Sequence, residues 1–363
     1  MTGAAAKITQ AIRRDGPITL ERYWAVALFD PEHGYYSQAE PFGRAGDFVT
    51  APDISQMFGE IIGAWCVAAW RALGSPSPFV FVEIGPGRGT LAIDMIRTVL
   101  RLEPDFIKAA KVRLVETSDR LAALQLQALD RFDLPLRRVR RIEELEAMPT
   151  IIVGNELFDA APIRQFVSHD GRWQERRVAL APDSRFVFVP HDLQGDPISA
   201  ELARWPLPPE GGILELSPQR DALASTIGRR IASVGGAALF IDYGHAAPGY
   251  GDTLQALRRH AFADPLAQPG LVDITSHVDF SRLARILAAS GLAVAPIAEQ
   301  GAFLATLGLL DRAEALARRG GADEGRAIET ATRRLAGSGE GEMGRLFKVL
   351  AAASQPMELP PFR

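Results

Sequence analysis

From Pro78 to Ile96 the chain reads PFVFVEIGPGRGTLAIDMI, a buried-strand pattern that runs directly into three alternate glycines and then into a helix. Phe79, Val80, Phe81, Val82 and Ile84 form the nearly unbroken apolar run of a parallel strand covered on both faces. Gly85, Gly87 and Gly89 permit a tight turn and a close backbone approach to a ligand, and Leu91, Ile93, Met95 and Ile96 begin a helix that packs back on the sheet. Glu83 stands at the strand's carboxyl end, where open α/β sheets bind their ligands.

The glycine spacing separates two kinds of nucleotide loop. A dinucleotide fingerprint places glycines at the first, third and sixth positions. Counted from Gly85, the sixth position is Thr90, so that pattern fails. The order Glu-x-Gly-x-Gly-x-Gly resembles the first motif of class I S-adenosylmethionine (SAM) methyltransferases, in which the glycines pass under a cofactor that has no pyrophosphate. That resemblance implies that Glu83, Gly85, Gly87 and Gly89 belong to a cofactor site.

The next strand, KVRLV from Lys111 to Val115, ends in Glu116, Thr117 and Ser118 and is followed by the helical run DRLAALQLQALDRF. A carboxylate at this strand tip can accept both hydroxyl hydrogen bonds of a ribose, which makes Glu116 the candidate ribose ligand and Thr117 its neighbour in the site. The alternative is a helix-start charge favoured by the macrodipole.

A third strand is expected near Leu136 to Val139 and a fourth at Thr150 to Gly154, which delivers NELFDA. Asn155, Glu156 and Asp159 are the candidate catalytic residues; the competing reading is a helix start capped by Asn155. Alternating strands follow Pro162, with Asp170 and Gly171 as a hairpin turn, and a further strand spans Ala237 to Gly244. Two late strands lie in GLAVAPIAEQ and RLFKVLAAAS. Asp242, Tyr243 and His245 either line a cleft or form a strand-end turn, and both readings stand. Ahead of the glycine loop, helical patterning spans Ala4 to Arg14, Thr19 to Phe29 and Ile54 to Leu73. Gly46, Asp47 and Thr50 cluster in GRAGDFVTAPDIS, which reads as a lid over cofactor or substrate, or as a structural loop capped by Asp53.

Strands alternating with helices predict an α/β fold, a doubly wound Rossmann-like parallel sheet with antiparallel strands at its end. The expected division is a helical extension and lid loop over residues 1–76, then a SAM-methyltransferase domain over 77–363 with inserted substrate-binding segments at about 163–212 and 246–278. At 363 residues and 47% hydrophobic content the core can be large. A net charge of -4 gives no general attraction to nucleic acid, and Arg137, Arg138, Arg140 and Arg141 read as a solvated face. The single cysteine, Cys66, lies in an apolar run and reads as a core thiol, and the six histidines lack metal-ligand spacing. No run has the length of a membrane span and no signal-peptide segment opens the chain, so the expectation is a cytoplasmic protein without membrane insertion.

Taken together, GPITLERYWAVALFDPEHGYY, GRAGDFVTAPDISQMFGEIIGAW, FVEIGPGRGTLAIDM, VGNELFDAAPIRQF, ILELSP, ALFIDYG, VDITSHVDFSRLA and GRLFKVLA resemble the bacterial relatives of the mitochondrial dysfunction protein A family. These are SAM-dependent arginine methyltransferases that act in assembly of respiratory complex I. The resemblance implies N-methylation of arginine on a protein, with a complex I subunit as the partner and symmetric dimethylation as the mitochondrial relative's product. The alternative is an assembly chaperone that binds SAM with little or no turnover.

Overall fold

The computed structural model describes residues 2–38, 50–258, 261–358 and 360–362, which divide into two compact units. One unit comprises Val49–Phe158, Asp221–Ala247 and Val278–Arg363; the other comprises Met1–Phe48, Asp159–Arg220 and Pro248–His277.

The first unit is built on a nine-stranded sheet among the described residues. Its main strands are β1 (Phe79–Ile84), β2 (Ala110–Val115), β3 (Arg137–Val139), β4 (Thr150–Asn155), β5 (Gly236–His245) and β6 (Phe347–Ala353). Their spatial order is β3-β2-β1-β4-β5-β6, with the first five parallel and β6 antiparallel to β5. Short strands Ala293–Val294 and Ala298–Glu299 pair with β6. The expected doubly wound α/β sheet with antiparallel strands at its end is thus what the sequence folds into.

Residue alternation in β1 explains the two covered faces. Phe79 and Phe81 enter one core with Met57, Phe58, Ile61, Ile62 and Trp65 of α1 (Gln56–Ala72) and Met95, Ile96 and Val99 of α2 (Thr90–Leu102). Val80, Val82 and Ile84 enter the opposite core with Ile227 and Ile231 of helix Pro218–Val234 and Leu283 and Leu287 of helix Phe280–Ala289. Helix α3 (Asp119–Leu129) follows β2 and is capped by Ser118, whose side chain accepts Leu121 N–H. The helix expected from Ile54 to Leu73 is α1, which begins at Gln56 because a separate short helix, Ala51–Ile54, precedes it. Ser55 separates them because its backbone is extended and its hydroxyl accepts Met57 N–H, a local bond that competes with helix continuation. Cys66 is buried and its thiol is pushed up by burial, as a core position requires.

In the other unit, helices Gly3–Asp15 and Leu20–Phe29 pack Ile8, Leu20, Tyr23 and Trp24 against Val178, Val272 and Ile274. Strands Arg164–His169 and Arg172–Leu180 form the expected hairpin around Asp170 and Gly171, both at positive φ. Glu175, 0% exposed, is held by Arg164 at 2.6 Å and Arg177 at 2.7 Å, so its buried charge is paired. No helix among the described residues is long and apolar enough to cross a membrane.

Candidate active site

The carboxyl ends of β1, β2 and β4 lie side by side by register, since Glu83 pairs with both Leu114 and Val153. That edge carries most of the residues singled out from the sequence. Gly85, Gly87 and Gly89 have φ of 67°, 53° and 83°, left-handed values that strain any side chain, and Gly89 opens α2 as its N-cap. A nucleoside ligand therefore meets a loop that offers backbone in place of side chains.

Glu116 is buried at the end of β2 and engages one hydrogen bond at each oxygen. Ser118 N–H donates to Oε1 at 2.7 Å, and Gln125 Nε2 donates to Oε2 at 3.0 Å. A carboxylate has about four lone-pair sites, so both oxygens retain capacity for the vicinal hydroxyls of a ribose. Thr117 is exposed, and its carbonyl accepts Arg138 Nη2 at 3.0 Å and Arg140 Nη1 at 3.1 Å. Arg138 Nε also donates to the Glu116 carbonyl at 2.6 Å. These two members of the basic cluster are engaged with the Glu116 loop and with Asp119.

Glu83 follows Phe79 and Phe81 on the face covered by α1 and α2, and its carboxyl takes the backbone N–H of Ala92. Burial pushes its pKa up to about 8, against the smaller opposing effect of that N–H, and Oε2 is buried with no partner among the described residues. Thr50 precedes the short helix Ala51–Ile54 and donates its hydroxyl to Asp53 at 3.0 Å, while Thr90 Oγ1 lies 3.4 Å from the other Asp53 oxygen. Asp53 thus reaches the residue that follows the glycine loop. Gly46 and Asp47 lie outside the described residues.

At the end of β4 the strand runs through Asn155, and no helix starts within NELFDA. Glu156 instead adopts φ 48°, a left-handed conformation that costs a non-glycine residue about 1–3 kcal/mol. Two bonds hold the turn. Glu156 N–H donates to the Ile241 carbonyl at 2.8 Å, and Phe158 N–H donates to Asp242 Oδ2 at 2.9 Å. Asp242, 0% exposed, accepts Tyr243 N–H with its other oxygen at 2.9 Å. Asp242, Tyr243 and His245 all lie within β5, and Asp242 braces the turn that follows β4. Tyr243 packs edge-on against Phe347, and His245 Nδ1 lies 2.6 Å from the Ala247 carbonyl. Asn155 Nδ2 donates to Glu156 Oε1 at 3.2 Å, whereas Asn155 Oδ1 is a buried acceptor without a partner among the described residues. An unmet buried acceptor costs roughly 1–3 kcal/mol, so this atom suits a ligand N–H.

The chain passes into the other unit between Phe158 and Asp159, and Asp159 is described there. It is buried, its Oδ1 accepts Ala160 N–H at 2.8 Å, and its carbonyl accepts Arg220 Nη2 at 3.1 Å. The Tyr36 phenol is pushed up by burial and then by Asp273 and Asp159, which places these groups in one polar cluster. In the same unit His169 and Asp170 of the hairpin and Glu210 bring potential ligand atoms within 4.8 Å of one another, and His169 Nδ1 lies 2.7 Å from Glu210 Oε1.

Sequence reasoning missed Gln125. Its readable signal was position: Leu121, Ala122, Gln125 and Leu129 are the buried stripe of α3, so an amide stands where helical periodicity calls for an apolar residue.

The chain matches, over residues 61–298, the family described as "Putative S-adenosyl-L-methionine-dependent methyltransferase". It is 36% identical over 331 residues to the mitochondrial protein arginine methyltransferase NDUFAF7 homolog of Drosophila melanogaster, covering 83% of this chain and 74% of that one. The Homo sapiens protein arginine methyltransferase NDUFAF7 is 33% identical, covering 82% of this chain and 71% of the relative. A Burkholderia thailandensis protein crystallised with S-adenosyl-homocysteine superposes with a TM-score of 0.84 at 30% identity, covering 96% of this chain and 91% of that one. The glycine loop and the Glu116 carboxylate fit such a cofactor, and the chain belongs to this family of SAM-dependent methyltransferases.

Proposed function

We propose that this enzyme methylates an arginine guanidinium on a protein, with a subunit of respiratory complex I as the target implied by the family resemblance. The observation that carries the reading is the left-handed Glu156 carboxylate beside Asn155, at the same sheet edge as the glycine loop. The relatives named as protein arginine methyltransferases support it.

Bound SAM supplies an electrophilic methyl group on a sulfonium. The chain must orient an acceptor nitrogen toward that methyl and keep water away. A guanidinium stays protonated and its lone pairs are delocalised, so a carboxylate is needed to hold it and to stabilise charge localised on the nitrogens that do not react. Glu156 suits that task, because its fixed turn aims the carboxylate without loss of order on binding. Asp159 is proposed as a further catalytic residue. Asn155 Oδ1 is proposed to receive an N–H of the acceptor or the amino group of the cofactor.

Glu83, Gly85, Gly87, Gly89, Glu116, Thr117, Gly46, Asp47 and Thr50 are proposed to form the cofactor side. For Glu116 the expected result is specific: Glu116→Ala weakens S-adenosyl-homocysteine binding by about 1 to 3 kcal/mol, the scale of charge-assisted hydrogen bonds, with the fold retained. Calorimetry alongside thermal melting checks it, and unchanged affinity with a sharply lower Tm would make the residue structural. The acceptor itself is tested by mass spectrometry of cells with and without this chain. A methylated arginine that disappears on deletion and returns with the native chain is expected. Loss of methylation from a different residue type, with no arginine affected, would overturn the arginine reading.

A further inference from the structure

We infer that Gln125 is a positioning residue for SAM, an amide clamp that locks the glycine loop and the ribose carboxylate to the same helix. The inference rests on the cofactor and is independent of the arginine acceptor. Gln125 is 0% exposed on α3, and Nε2 donates to the Gly87 carbonyl at 2.7 Å and to Glu116 Oε2 at 3.0 Å. Both hydrogens of the amide nitrogen are therefore used, one on each cofactor-facing segment. The orientation of the amide follows from its partners. Reversed, it would set an acceptor against a carbonyl and a carboxylate, with no donor between them.

Packing alone does not explain the residue. Gln125 Oε1 is buried without a partner among the described residues, a cost that a leucine of similar size would avoid. The side chain also lies beneath the third glycine, where a Cβ on Gly89 would meet Gln125 Cγ at 3.6 Å. Meanwhile Ser118 N–H, at the start of α3, holds the other oxygen of Glu116. Helix α3 thus grips the carboxylate at two points and the loop at one. Removal of the amide frees the Gly87 carbonyl and lets Glu116 rotate, which weakens cofactor binding while leaving the acceptor groups on β4 in place.

Two variants test this in the full chain, with S-adenosyl-homocysteine as the calorimetric probe. Gln125→Leu removes both donors and should raise Kd about tenfold to hundredfold, the worth of two hydrogen bonds, one of them to a charged group. Its KM for SAM should rise with kcat at saturation little changed, because the clamp acts on binding. Gln125→Glu keeps the length but sets a second carboxyl against Glu116. Protonated, it can donate to one partner; ionised, it repels both, since two carboxylates so close do not both ionise without penalty. The ratio of its Kd to that of the native chain should therefore rise with pH, by up to about tenfold per pH unit. A purely structural residue would give no such profile. Folded Gln125→Leu with native affinity would overturn the assignment, as would a Gln125→Glu ratio that stays flat with pH. If Gln125→Leu does not fold, the pH ratio of Gln125→Glu decides alone.

Discussion

Glu156→Gln should retain SAM affinity and lose methyl transfer by about a hundredfold to a thousandfold, because it keeps the shape of the side chain and removes its charge. A charge close to the reacting nitrogen in a dry site is worth about 3 to 4 kcal/mol to the transition state. The left-handed turn is fixed by backbone bonds to Ile241 and Asp242, which the substitution does not touch, so the position should survive it. Asp159→Asn is expected to act in the same direction. The measurement is transfer of labelled methyl to a peptide array, with S-adenosyl-homocysteine affinity followed in parallel. Near-normal transfer in both single variants would leave the chaperone reading in their place, and loss of affinity together with transfer would move Glu156 to the cofactor side.

The second large effect concerns stability and its dependence on pH. Folding raises the Glu83 pKa to about 8, first through burial, whereas an unfolded chain releases that proton near the ordinary value of 4.5. Between those two values the folded state holds more protons than the unfolded state. Stability must therefore fall as pH rises through this window, at up to about 1.4 kcal/mol per pH unit from this group alone. Glu83→Gln removes the titration and should be more stable than the native chain at pH 8 by about 3 to 5 kcal/mol, with little difference at pH 4.5. Urea unfolding at several pH values checks it through the difference between the two chains, which cancels shifts at other buried acids. A difference that does not grow with pH would show that the carboxyl is not kept neutral by burial.

What could be read in advance was local. The apolar run of β1 and the three glycines lie within a dozen residues, and strand, turn and helix are each encoded by neighbours in the chain. The strand ending at Asn155 was legible for the same reason. The handedness at Glu156 was not, since its cause is the Ile241 carbonyl on an adjacent strand and an aspartate 84 residues beyond Phe158. Gln125 was hidden differently: its residue type contradicts its helical position, but only the fold brings Gly87 and Glu116 to its amide. The break at Ser55 was masked by apolar periodicity, which continues across a residue whose extended backbone ends the preceding short helix and whose hydroxyl caps the next.

The place of β6 in the sheet bears on how the chain is made. Residues 347–353 lie between β5 and the short edge strands at 293–299, so a strand translated after β1 to β5 occupies an interior position. Until it arrives, β5 presents an open, apolar edge of the kind that recruits foreign strands. The other unit likewise waits for residues 248–277 before its three segments can join. Synthesis and folding are therefore out of step for most of the chain's length. A nascent chain stalled before Phe347 would be a candidate for chaperone capture or aggregation, although every residue of the glycine loop and of NELFDA had already been translated.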